Sequence, residues 1–279
     1  MKKLAPLIEV ATVVGLFFYF RLVLKHSALA GWQESIFGAA PVSSSLLFFA
    51  LPLLIVLATR RGARGLGLTT QQPGYDLRVA MPALAVVAPV TILFLLVQLL
   101  GSDPYQWLGG IILTIGFTIG GVVMTRSVSR IANKPERSIS LYGLAGYAGV
   151  LAGGAVLIAL IHPVAPMLGR VILVLVFVGL LEEVFFRGYV QTRLNESLGK
   201  PLRYRGVSFG AGLLITAVIF GLMHPLTASA DTTPWAWALW TTTVGVILGY
   251  LREKTGAAVT PAIVHGVILL PGVLFGVAG

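Results

Sequence analysis

Cysteine is absent from this 279-residue chain, which excludes disulfides, thiolate nucleophiles and cysteine-ligated zinc together. Charge is scarce as well: 11% of the residues are charged, and 10 acids stand against 20 Lys and Arg. A soluble domain carries roughly a quarter charged residues, so an ordinary water-facing surface is excluded. The four histidines form no His-Glu-x-x-His segment, so the local zinc-protease signature is missing. Internal repeats are lacking too, as are the paired broken helices that mark many ion-coupled transporters.

What remains is apolar: 57% of the chain is hydrophobic and its mean hydropathy is +0.92. Stretches of roughly 20 apolar residues, long enough for about 30 Å of hydrocarbon, recur along it. They predict an all-α, polytopic transmembrane helical bundle of about nine spans: Leu4–Leu24, Val42–Ala58, Val79–Leu100, Leu108–Met124, Leu141–Ile161, Leu168–Phe186, Gly206–Met223, Trp235–Leu251 and Val259–Ala278. So many spans in so short a chain leave no space for a soluble domain, and the function is expected inside the membrane. Residues 1–167 form the first five spans and 168–279 a catalytic core within the same membrane domain. The stretch from Arg60 to Arg78, with Thr69 to Gly74 at its centre, is expected to be a cytoplasmic or interfacial loop.

A net charge of +10 raises nucleic acid as a partner, but the basic residues segregate as a membrane protein requires. With Lys2 and Lys3 in the cytoplasm, alternation puts all of the 20 Lys and Arg except Arg21, Lys25 and Arg170 on that side. The expectation is a multi-pass protein of the cell membrane, amino end in and carboxyl end out. Its partners are the lipid bilayer and a membrane-associated peptide or protein, with no nucleic acid. Lys2-Lys3, the apolar run and Ala28-Leu29-Ala30 resemble a signal peptide, but Glu9, Arg21 and Lys25 interrupt the pattern and predict a retained first helix.

Polar residues concentrate in the later spans. Glu182-Glu183-Val184-Phe185-Phe186-Arg187 sets two carboxylates inside an apolar helix, where ionisable groups face protein or a wet cavity and are functional by default. Glu183 and Arg187, one turn apart with the acid first, form a pair. Glu182 is left without a local cation, a carboxylate suited to take a proton from water. Phe220-x-x-x-His224 closes the seventh span and His265 lies in the ninth, whereas His26 and His162 fall at outer loops. Two histidines and a glutamate either bind zinc with a water position open, or orient water and an oxyanion without metal, and the residues alone leave both open. Counting from the cytoplasmic boundary puts His224 deeper than Glu182 and His265, so convergence requires an extension or tilt of its helix.

In this order, Glu182-Glu183-x-x-x-Arg187, Phe220-x-x-x-His224 and His265, following Gly249-Tyr250-Leu251-Arg252-Glu253-Lys254-Thr255-Gly256, resemble the motifs of the CAAX prenyl protease and bacteriocin-processing family of intramembrane proteases. The resemblance covers residues from Leu168 onward. It implies an all-helical protease in which Glu182, Glu183, Arg187, His224 and His265 are the site, with Glu182 activating water. It also implies a tentative zinc (Zn2+) set of Glu182, His224 and His265, although a metal-free glutamate mechanism is argued for the family too. Leu269 stands where the family has Asn or Asp, which predicts weak hydrolysis or a substitute polar group, with Thr241, Thr242 and Thr243 as candidates. Two other classes stay open: a degenerate, non-proteolytic scaffold or immunity-type binding protein, and an ion-coupled transporter.

Overall fold

The computed structural model describes residues 4–38, 42–60, 73–101, 105–132, 141–227 and 235–274. The expected cytoplasmic residues Lys2, Lys3, Arg61, Arg64, Lys134 and Arg137, the loop centre from Thr69 to Gln72, and the end of the ninth span lie outside them.

Helices α1 (Leu4–Lys25), α2 (Ala28–Phe37), α3 (Val42–Ala58), α4 (Pro73–Leu99), α5 (Trp107–Ser129) and α6 (Leu141–Ile161) make up the first part of the fold. Helix α4 starts before the expected third span, and Pro73 at its first position suits a start there because the missing N–H has no intrahelical partner to lose. Part of the expected Arg60–Arg78 loop is therefore helical.

The expected sixth span is not one regular helix. Helix α7 (Pro166–Ile172) passes into a π-helical stretch (Leu173–Leu180), a single turn α8 (Leu181–Glu183), a second π-helical stretch (Val184–Val190) and α9 (Gln191–Leu198). Such wider turns inside helices concentrate at functional sites, and here they flank the Glu182-Glu183 pair on both sides.

Strands β1 (Leu202–Tyr204) and β2 (Val207–Phe209) pair antiparallel. They join through Arg205 (φ 48) and Gly206 (φ 80), both left-handed as a two-residue hairpin turn demands. This hairpin corrects the seventh span: α10 (Ala211–Thr227) begins at Ala211 instead of Gly206. Five residues later is about 7.5 Å of helix rise, which brings His224 correspondingly closer to the level of Glu182 and His265. Helices α11 (Trp235–Thr255) and α12 (Val259–Leu274) complete the fold.

The count of nine spans is corrected as well. Among the described residues three helices are long and apolar enough to cross a membrane, Leu4–Lys25, Gly74–Leu99 and Trp107–Ser129, or up to four if the bent pair α2 and α3 is one span. Ala145–Ile161, Ala211–Leu226 and Val259–Leu274 are apolar but shorter, within 10–17 residues. At about 1.5 Å per residue Ala211–Leu226 falls short of about 30 Å. Hydropathy registers an apolar run but not the breaks that polar side chains and wide turns put into it.

Two hydrophobic clusters hold the elements together. One joins Phe17 of α1 and Phe48 of α3 to Phe185, Phe186 and Phe220, with the Phe17 and Phe48 rings stacked at 4.3 Å. The other joins α4 and α5 to α11 and α12 through Val79, Leu113, Leu248 and Val264. Both draw on residues 1–167 and on 168–279. At Gly179 of the first π-helical stretch, an added Cβ would meet Gly266 Cα at 2.8 Å and Ala262 O at 3.2 Å. Glycine at this point lets the segment before Glu182 lie directly on the backbone of α12.

Candidate active site

Glu183 and Arg187 lie one turn apart and are fully enclosed, with Arg187 Nη1 donating to Glu183 Oε1 at 2.8 Å. The guanidinium also donates to Gly245 O of α11 at 3.3 Å and lies over the Phe220 ring at 4.3 Å. A buried ion pair survives only with such extra partners, since its desolvation is costly.

Glu183 has a second partner that spacing did not predict. His265 Nδ1 lies 2.9 Å from the same Oε1. A carboxylate only accepts, so His265 donates from Nδ1; in the neutral ring Nε2 then carries the lone pair. His224 is oriented alike: its Nδ1–H donates to Phe220 O at 2.8 Å. Phe220 links the two, its ring centroid 4.9 Å from that of His224 and 5.6 Å from that of His265. The two imidazoles are thus gathered around one aromatic ring from different helices.

Glu182 differs from its neighbour. It is 7% exposed and accepts no hydrogen bond among the described residues, and its Oε2 is buried without a partner. His265, Arg21, Glu183 and Arg187 are all within electrostatic reach of it. A buried, unpaired carboxylate oxygen is rare enough to require a reason, and an oxygen left for water is a chemical one.

Arg21 of α1 was missed, because counting spans put it at an outer boundary. Its Nη1 contacts Met223 Sδ at 4.0 Å, next to His224, and its guanidinium lies 5.9 Å from the Phe17 ring. The available signal was a lone arginine in an apolar helix with no acid one turn away.

The threonines of α11 are turned to backbone. Thr241 donates to Trp237 O at 2.6 Å, and Thr243 donates to Leu239 O at 3.3 Å. Thr242 packs against Gly221. Leu269 is partly buried on α12, one turn beyond His265.

Zinc takes the donor types present, and both histidines have the second partner that orients a metal-bound imidazole. Among the described residues, however, no three of His, Cys, Asp and Glu come together as a group able to hold an ion. The chemistry below is written for the side chains alone.

Residues 163–271 match the family model of the type II CAAX prenyl endopeptidases, described as Rce1-like. Over that segment the chain is similar to the CAAX-protease family. Its Rce1-like segment holds Glu182, Glu183, Arg187, His224 and His265, and it leaves Arg21 outside. No curated protein matches the chain, and no solved structure does.

Proposed function

We propose that this protein is an intramembrane endopeptidase that hydrolyses a peptide bond of a membrane-associated or lipidated substrate. The observation that carries the reading is that Glu182 is buried and accepts no hydrogen bond among the described residues, whereas Oε1 of Glu183 accepts from both Arg187 and His265; Oε2 is unpartnered in each. One acid is structural and the other is free to act.

In this mechanism a water lies between Glu182 and the Nε2 lone pairs. As the water oxygen forms a bond to the scissile carbonyl carbon, its proton passes to Glu182 and the carbonyl electrons move onto oxygen. The tetrahedral intermediate collapses, the C–N bond breaks and the amine takes the proton from Glu182. The products are a carboxyl end and an amine. Glu183 does not touch the reacting atoms and holds His265 in one tautomer.

The test is hydrolysis of a farnesylated, fluorogenic CAAX-type peptide by purified protein. Glu182→Gln should abolish cleavage while leaving the amount of folded protein unchanged, and retained cleavage would sink the assignment. Leu269 favours a second reading, a relative that binds without cutting. A wild type that binds the peptide but never cleaves it selects that one.

The basic end of the fold supports an orientation. Arg193 with Glu9, Lys200 with Glu253, and Arg252 with Thr192 meet around α9, near the hairpin. In our reading this end faces the cytoplasm of a cell-membrane protein and holds the amino-terminal half of α1 there.

A further inference from the structure

The proposed hydrolysis creates a charge that the residues named so far do not meet. As the C–O bond forms, the carbonyl oxygen becomes an oxyanion, and hydrolases aim preorganised donors at that position. Leu269 has no donor. As the neutral imidazoles of the mechanism above, His224 and His265 donate their N–H to Phe220 O and Glu183. Thr241 donates to Trp237 O and to Gly221 O, Thr243 donates to Leu239 O, and Thr242, neutral and packed against Gly221, offers at most an uncharged hydroxyl. Arg187 is fully enclosed against Glu183 and Gly245.

Arg21 is the cation left over. Its guanidinium is permanently charged and partly buried, and among the described residues it pairs with no carboxylate or carbonyl. Its contacts are soft: a thioether sulfur at 4.0 Å and an aromatic face at 5.9 Å. Neither is a strong acceptor, so both give way to an anion at little cost. The group stands beside the His224 turn, within electrostatic reach of Glu182 and His224. Phe17, over which it lies, packs on Phe185 at 5.1 Å, in the same segment as Glu182. The position of α1 is set by Glu9, which accepts from Arg193 at 3.0 Å and from Tyr189 Oη at 2.8 Å. Arg21 is therefore carried to the site by a helix anchored elsewhere.

We propose that Arg21 is a catalytic residue that donates to the oxyanion. The inference rests on the proteolytic reading above. It assigns to the first helix, outside the family-matched segment, a direct contact with the reacting atoms.

The experiment uses the full chain in detergent micelles and two farnesylated peptides, one cleavable and one with a phosphinate in place of the scissile amide. Arg21→Gln should lower kcat by about 10²- to 10³-fold with little change in KM, and Arg21→Lys should retain part of the rate. Adding Leu269→Asn to Arg21→Gln should restore activity about ten-fold or more, which a merely structural role for Arg21 would not allow. Wild type should also bind the phosphinate more tightly than the parent peptide, and Arg21→Gln should lose that preference. Binding needs no turnover, so this arm separates the two claims: Arg21-dependent phosphinate binding without any cleavage sinks the protease and keeps the anion site. The proposal is overturned by a wild type with no phosphinate preference, or by a preference equal in wild type and Arg21→Gln. It is overturned equally by a loss confined to KM that disappears when the peptide's carboxyl end is amidated, since Arg21 would then anchor the substrate.

Discussion

Two adjacent carboxylates in one apolar segment have opposite fates, and the difference is one of partners. Glu183 accepts from Arg187 and from His265, while Glu182 has neither. Arg187→Ala would strand Glu183 as a buried, half-paired charge, a loss of about 3 to 5 kcal/mol. That variant should accumulate poorly and unfold at lower temperature in detergent, whereas Glu182→Gln should match wild type in both. Equal stability of the two variants would remove Arg187 from its structural role. Zinc gives a second test at this scale. With no three-donor group in the described residues, cleavage should survive chelation, and the purified protein should hold zinc well below one ion per chain. Loss of activity in chelator with recovery on added zinc would return Glu182, His224 and His265 to the role of ligands.

At the scale of elements, the site depends on contacts between backbones. Gly179 meets Gly266 and Ala262 so closely that a methyl group must push α12 away from the first π-helical stretch. Because His265 rides on α12 and Glu183 follows Gly179 by one turn, Gly179→Ala should lengthen their hydrogen bond. Cleavage should fall at least several-fold, with a drop of about 1 to 3 kcal/mol in stability. Helix α1 has its own anchor at Glu9, and Arg193→Ala removes charge-assisted hydrogen bonds on the order of 2 to 3 kcal/mol in total. The expected result is faster proteolytic release of the first helix, and with it loss of the Arg21 contribution. A normal kcat in an Arg193→Ala protein whose first helix is demonstrably detached would contradict the placement of Arg21.

For the whole molecule the question is how a short chain makes a closed site in lipid. If positive charge orients it as proposed, reporter fusions after Lys254 and after Arg64 should both read as cytoplasmic. An external signal at Lys254 would invert the orientation. Among the described residues fewer helices are long and apolar enough to span than hydropathy predicts, and ion pairs gather around α9.

The membrane class, the Glu183 and Arg187 pair, and the set of Glu182, His224 and His265 as site candidates were legible in the sequence. Hydropathy is a sum over residues, and i,i+4 spacing is a local property of any helix. The contact of His265 with Glu183 spans 82 positions, and that of Arg21 with Met223 spans 202. No local periodicity encodes either one. The wide turns around Glu182, the hairpin that resets the level of His224 and the glycine contact that seats α12 depend on how helices pack. Residue types and local spacing thus determined which groups were candidates for chemistry and which carboxylate pairs with Arg187, while packing alone decided that His265 joins that pair and which distant arginine stands beside the site.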